Sequence, residues 1–330
     1  MRVGVIGVGR MGRVHAASLA AVPDVKVAIA DADAALAEEI GGQLGVEVAP
    51  DVDALIGGSD AVVVAAATDA HAALVHETAE ARLPTFCEKP ISLDLASTAE
   101  VVAHVEEAAI PFQMGFQRRF DPGYVAAHDA VHDGTVGTIY VVRMAGHDPA
   151  PPHEAYIASS GGLFRDFTVH DFDALRFVTG QEVVSVYADG AVVAFPVFER
   201  YDDVDTAVAI LRLSGGSLGI LSATRHDPLG YDIRMELIGS KDSVAVGLDD
   251  RMPLRSLEPG SPHTGADAHR DFQNRFQGAY RAEMAAFIEV AAGNRESPCT
   301  AQDAFESLRI AVACDRSRSE QRPVRLEEIE

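Results

Sequence analysis
The sequence predicts two joined folds. The first is an α/β Rossmann domain with a doubly wound parallel sheet, and the second an α+β domain with a large, mostly antiparallel open sheet. Three observations predict them. A glycine-rich turn separates an apolar strand from a helix near the N-terminus. Up to about residue 118, short apolar runs alternate with helical ones. After Arg119, long alternating runs take their place. The 330 residues suit two domains, drawn as 1–118 and 119–330.

The first domain opens with the buried strand Val3 to Ile6, followed by Gly7-Val8-Gly9-Arg10-Met11-Gly12 and a helix over Met11 to Ala21. A second apolar strand, Val25 to Ala30, ends in Asp31, nineteen residues after Gly12. Strand, glycines, helix, strand and terminal acid in this order mark a dinucleotide site. Gly7 permits the tight turn, Gly9 lets backbone approach a pyrophosphate, and Gly12 lets helix and strand pack closely. The helix N-terminus offers N–H groups and a positive dipole end to phosphate. Asp31 can accept hydrogen bonds from the adenosine ribose hydroxyls and would repel a 2′-phosphate. No Lys or Arg occurs from Val27 to Ala81, so NAD is expected over NADP; Arg10 and Arg13, by the turn, are the local cations.

Further strands are expected at Ala61 to Ala66, Leu83 to Cys87 and Ile110 to Met114. A helix starts near Thr68-Asp69-Ala70-His71, capped by Asp69 or Thr68, and another spans Leu93 to Ala109. In the second domain Tyr124 to His132 reads as helix and Thr138 to Ala145 as strand. Alternating runs follow at Val183–Ala194, Asp205–Leu213, Ser217–His226 and Ile233–Val246, with Gly215-Gly216 as a hairpin turn. One face of this sheet carries its helices, and another subunit is expected on the other. Asp249 to Gln277, with Pro253, Pro259 and Pro262, reads as a loop into a helix from Phe276 to Ala292.

Composition excludes some partners. The chain is 48% apolar and 23% charged, ordinary for a soluble enzyme, with a net charge of −23. That charge argues against nucleic acid and anionic membrane surfaces. There is no apolar run of about 18 residues, and the N-terminus leads directly into the first strand, so neither a signal peptide nor a membrane helix is expected. Cys87, Cys299 and Cys314 are few, odd in number and without metal spacing, which fits core packing in a reducing cytosol. The twelve histidines contain no HExxH, and no metal site is expected. The acidic tail around Glu327, Glu328 and Glu330 reads as a solvated end.

Two further signals carry chemistry. In Ser159-Ser160-Gly161-Gly162-Leu163-Phe164-Arg165-Asp166-Phe167-Thr168-Val169-His170-Asp171-Phe172-Asp173, Ser160 can cap a helix that Gly180 ends. Asp166 and His170, four apart, then share one helix face. Oxidising an alcohol needs a base for the hydroxyl proton, and a His supported by a carboxylate suits that. The same spacing also describes an ordinary surface pair worth about 0.3–0.5 kcal/mol. Lys89 lies just past a strand's carboxyl end, where ligands bind in such sheets. There it can bond a substrate hydroxyl and a cofactor ribose, or be a solvated loop lysine. Phe164, Phe167, Phe172 and Leu175 read as core, and His71, His76 and His104, taken alone, as surface or cap residues.

With the early Gly-Val-Gly-Arg-Met-Gly, the Glu88-Lys89-Pro90 tripeptide and the Asp166-x-x-x-His170 pair together, the chain resembles the Gfo/Idh/MocA oxidoreductases over its whole length. Within that family it is most similar to bacterial inositol 2-dehydrogenases, through Gly115-Phe116-Gln117-Arg118-Arg119-Phe120-Asp121-Pro122, Asp148-Pro149-Ala150-Pro151-Pro152 and the Gly161 to Asp173 stretch. The resemblance implies NAD-dependent oxidation of a ring hydroxyl of a cyclic polyol, with Lys89, Asp166 and His170 as the catalytic trio. It implies Arg119, Asp148 and Tyr280 near the substrate. The cofactor set is Gly7, Gly9, Arg10, Met11, Gly12, Asp31, Thr68, His71, Glu88 and Lys89. His147 stands where the subgroup commonly has Arg, and Gln117 where it has Asn or Met, which bears on which polyol fits. A sugar or amino-sugar oxidoreductase and a non-catalytic NAD-binding regulator are the alternatives. A cytoplasmic homo-oligomer, a tetramer by resemblance, is expected.

Overall fold
The computed structural model describes residues 1–260 and 267–329; the expected Pro262 loop position and Glu330 of the acidic tail lie outside them. The chain divides into two compact units. One contains Met1–Phe120 and Gly278–Glu306, the other Asp121–Gln277 and Ser307–Glu330.

In the first unit β1 (Arg2–Ile6), α1 (Gly12–Ala20), β2 (Lys26–Ala30), α2 (Ala34–Leu44), β3 (Glu47–Val48), α3 (Val52–Gly57), β4 (Ala61–Val64), α4 (Thr68–Glu80), β5 (Thr85–Glu88), α5 (Leu95–Ala108) and β6 (Phe112–Gly115) alternate. The sheet order is β3-β2-β1-β4-β5-β6, with every pairing parallel. Order reverses between β1 and β4, the position where such sheets bind ligands beyond their carboxyl ends. Val3, Val5, Val63 and Phe86 form the core, as the all-apolar strands require. The expected side-chain cap of α4 is absent: Ala67 is the N-cap and Thr68 the first helical residue.

The second unit contains α6 (Pro122–His132), β7 (Ile139–His147), α7 (Glu154–Ser160), α8 (Val169–Thr179), β8 (Val183–Ala191), β9 (Thr206–Leu213), β10 (Leu218–Thr224), β11 (Asp232–Gly239) and β12 (Ser243–Val246). Two long helices follow, α9 (Phe272–Ala291) and α10 (Ala301–Glu320), then β13 (Val324–Arg325). The sheet order is β12-β11-β7-β10-β9-β8-β13, antiparallel except for β7 with β10. Among the described residues, no helix is long and apolar enough to cross a membrane.

Three expectations change. The sequence places everything beyond 118 in one domain, but Gly278–Glu306 belongs to the first unit. The cause is α9, whose Met284 and Phe287 bury themselves among Val5, Val63 and Phe86. The tail is not simply solvated: Val324 and Arg325 pair with β8, and Ile329 is buried. Glu328 accepts from Arg322 and from the Arg325 N–H, which lowers its pKa to about 2. Finally, the Ser159–Gly180 stretch is not one α-helix. α7 ends at Gly161, a π-helical turn covers Phe164–Thr168, and α8 ends at Gly180 in the left-handed region. Ser160 does not cap that turn; the Leu163 N–H donates to Asp203 Oδ1 at 2.9 Å.

Candidate active site
The dinucleotide turn is built largely from backbone. Gly7 has φ of +85°, and a Cβ there would lie 2.5 Å from Ala66 Cα. A Cβ on Gly12 would lie 1.8 Å from the Gly7 carbonyl oxygen, so both positions require glycine. Gly9 differs: apart from its chain neighbours, no atom of the described residues lies within 4 Å of where its Cβ would stand. Packing therefore leaves that side clear for a ligand. Met11 at the N-cap of α1 makes no side-chain cap bond, which leaves the helix start suited to phosphate. Arg10 beside it is exposed. Asp31, at the end of β2, accepts the Val8 N–H at 2.7 Å and the Asp33 N–H at 2.9 Å. Its carboxylate thus ties the turn to the strand that should carry the ribose. These residues fit a dinucleotide.

Lys89 follows β5, half-buried, before a cis peptide bond to Pro90. Glu88 and His71, expected as cofactor contacts, are turned toward protein. Glu88 Oε1 lies 2.6 Å from His15 Nε2, and Oε2 accepts the Lys89 N–H at 3.2 Å. His71 is buried rather than superficial, with Nδ1 2.8 Å from the Pro90 carbonyl oxygen and Nε2 3.0 Å from that of Ala66. His76 and His104 face each other between α4 and α5 through their Nδ1 atoms.

In the second unit the buried pair of Asp166 and Arg225 is the centre of a charge cluster that reaches the half-buried Asp148 and the exposed Tyr156. Tyr156 Oη donates to Asp166 Oδ1 at 2.7 Å, and Arg225 Nη2 to Asp166 Oδ2 at 3.0 Å. Arg225 Nη1 also reaches Asp148 Oδ2 at 3.4 Å, and the guanidinium lies 5.5 Å from the Phe167 ring centroid. Burial works against the Arg225 charge, but Asp166, Asp148 and Asp203 raise its pKa above the usual arginine value. His170 is half-buried at the start of α8, just past the π-helical turn that carries Asp166. Such turns recur at functional sites. A cluster of this kind can hold polar hydroxyls at fixed positions.

Two residues expected near the substrate, Arg119 and Tyr280, lie in the first unit. The Arg119 guanidinium forks onto Asp303, at 3.1 and 3.3 Å, and donates to the Pro298 carbonyl oxygen at 2.7 Å. That bidentate pairing makes it a structural clamp in the first unit. Tyr280 is 4% exposed and packs edge-on against His15 at 6.0 Å. Gln117 is buried. His147 points to the sheet face away from α8, bonding Ser222 Oγ at 2.9 Å and approaching Asp232 at 3.3 Å. With Asp227 it forms a three-residue group, in which Arg234 already forks onto Asp232 at 2.7 and 3.0 Å.

Arg225 and Tyr156 were not among the expected site residues. Arg225 does leave a signal: Gly219, Leu221 and Ala223 face inward in β10, and Arg225 is next in that phase. A charge at an inward position requires partners.

Comparison with known proteins agrees with this geometry. Residues 1–116 match the model described as an oxidoreductase family, NAD-binding Rossmann fold, and residues 124–245 the GFO/IDH/MocA C-terminal domain. A protein named myo-inositol dehydrogenase Hyg17 from Streptomyces leeuwenhoekii is 38% identical over 96% of this chain and 97% of its own. The structure described as a putative myo-inositol dehydrogenase from Sinorhizobium meliloti superposes with a TM-score of 0.92 at 37% identity, covering 99% of each chain. The scyllo-inositol dehydrogenase of Lactobacillus casei, solved with NAD(H) and scyllo-inositol, superposes with a TM-score of 0.88 at 28% identity, covering 99% of each chain. From its glycine turn to its mixed second sheet, the chain belongs to the Gfo/Idh/MocA family of oxidoreductases.

Proposed function
We propose that this protein is an NAD-dependent dehydrogenase that oxidises one ring hydroxyl of an inositol, myo-inositol or a stereoisomer, to the ketone. The observation that carries the proposal is the Tyr156–Asp166–Arg225–Asp148 cluster, with Asp166 one turn before His170, in a chain several of whose full-length relatives are named inositol dehydrogenases. Buried charges are costly to maintain, and a protein that only bound NAD would have little use for them.

In the reaction the alcohol loses a proton from oxygen and a hydride from carbon, leaving the C=O bond. Lys89 orients the hydroxyl and favours its ionisation. His170 takes the proton, and Asp166, fixed by Tyr156 and Arg225, supports it. The dinucleotide, held by the Gly7–Gly12 turn and Asp31, supplies the hydride acceptor. Asp148 shares the Arg225 guanidinium and stands ready for substrate hydroxyls.

Assembly is part of the proposal. Tyr140, Tyr187, Val208, Ile210, Leu218 and Ile220 are 37–55% exposed on the sheet face away from α8. Ile210 lies opposite both Ile220 and Tyr187, so the patch is continuous across three strands. A second copy of the chain covers it, in a tetramer, and light scattering that gave a 35.0 kDa monomer at micromolar concentration would refute this. The three cysteines, buried as thiols outside any disulfide, suit a cytoplasmic setting.

The functional test is NADH formation at ~340 nm with NAD and a panel of inositols, pyranose sugars and amino sugars. Turnover on an inositol is expected. Turnover on sugars alone would move the substrate class, and none with any polyol or sugar would leave a non-catalytic NAD-binding protein.

A further inference from the structure
The segment carrying Lys89 is held on both sides by buried histidines. His15 lies in α1, just past Gly12, and is fully buried. Its Nε2 meets Glu88 Oε1 at 2.6 Å, while Glu88 Oε2 accepts the Lys89 N–H. The ring is fixed edge-on by Phe86 at 5.2 Å and Tyr280 at 6.0 Å. On the other side His71, in the first turn of α4, sits between the carbonyl oxygens of Pro90 and Ala66, its Nδ1 2.8 Å from the first and its Nε2 3.0 Å from the second. One imidazole therefore grips the residue before Lys89, and the other the residue after it. The His71 ring also joins that segment to the loop after β4, whose Ala66 lies against Gly7.

Closing the β5–α5 connection alone would need only apolar packing. A buried His–Glu pair is a costly way to do that, because a carboxylate with 8% exposure must be fully partnered. We propose that His15 and His71 are positioning residues for Lys89: through Glu88 and through the Pro90 carbonyl they set the backbone from which the ammonium reaches the substrate. This rests on the role given to Lys89 above.

The test is a double-mutant cycle on the full-length protein, reading kcat and KM for myo-inositol. His15→Phe keeps a ring and removes the bond to Glu88. A misplacement of about 1 Å can cost about 10²-fold, so kcat should fall about 10–100-fold. The calorimetric Kd for NAD should stay within about threefold, since the Gly7–Gly12 turn is built separately. His15→Gln, which restores an N–H, should recover most of the loss. In a Lys89→Ala background, His15→Phe should cost nothing further, because non-additivity marks groups that act through one another. An equal loss in both backgrounds would overturn the inference, as would unchanged kcat in His15→Phe. Near-normal turnover in Lys89→Ala alone would instead sink the role of Lys89. If His15→Phe does not fold, His71→Leu, which removes the ring nitrogen facing the Pro90 carbonyl, carries the same kcat expectation and the same refutations in this cycle, with His71→Gln as its rescue.

Discussion
Asp31 and Asp166 are held in opposite ways. Asp31, half-buried at the end of β2, receives the backbone N–H groups of Val8 and Asp33. Asp166, 8% exposed, receives a phenol from α7 and a guanidinium from the end of β10. The partners of Asp31 exist whatever the side chains nearby. Those of Asp166 are two particular residues, one of them a buried charge. The nucleotide half should therefore tolerate substitution and keep its binding, whereas the Asp166 cluster should fail when one member is lost.

The sharpest way to break this comparison is Arg225→Met. It leaves the buried Asp166 and the half-buried Asp148 without their cation, a loss of about 3–5 kcal/mol for a buried pair. The urea midpoint of the transition that reports the second unit should fall accordingly, and turnover with it. A variant as stable as the parent would show that the cluster is not a unit. His170→Ala should lower kcat by about 10²–10⁴, the usual contribution of a positioned base, with NAD affinity by calorimetry nearly unchanged. Near-normal turnover would reduce Asp166 and His170 to an incidental helix pair.

In the other half, Asp31→Ser combined with Ala32→Arg should narrow or reverse the preference for NAD over NADP. The ratio of kcat/KM should shift by about tenfold, the scale of one charge-assisted hydrogen bond. A parent that already used NADP better would contradict the reading of Asp31.

The smallest effect concerns Asp315, paired with Arg165 at 2.7 Å. Burial raises its pKa to about 6 despite the Arg165 charge. The folded chain keeps this proton where the unfolded chain has released it. Its contribution to stability is thus full below the ordinary carboxylate range and is lost as pH rises to about 6. Tm measured from pH 4 to 7 should lose that component of its slope in Asp315→Asn. An identical slope in both proteins would refute the assignment.

The same contrast explains what was legible in the sequence. The glycine turn, Asp31, the apolar parallel strands and the alternating antiparallel ones are local patterns, and the fold shows each near its expected place, except that the run Ile233–Val246 divides into β11 and β12. Features set by distant partners were not legible. Asp203, forty residues on, takes the Leu163 N–H in place of the expected Ser160 cap. Asp303, far along the chain, takes the Arg119 fork. Met284 and Phe287 carry a C-terminal segment back into the first core. Glu88 and His71 were expected as cofactor contacts from the resemblance; only the positions of His15, Ala66 and Pro90 in the fold reveal what they bond. Arg225 is the intermediate case, visible from its phase in β10 and unassignable until its carboxylates are in place.

The central claim is direct hydride transfer from an inositol ring carbon to NAD. It is tested most directly with myo-inositol deuterated at its ring carbons and unlabelled NAD, the reduced cofactor being weighed by mass spectrometry. The account predicts reduced dinucleotide carrying one deuterium, formed more slowly than NADH from unlabelled substrate if hydride transfer limits turnover, and no such product from His170→Ala on the same timescale. Reduced cofactor without deuterium, or none with any inositol while sugars react, would contradict it.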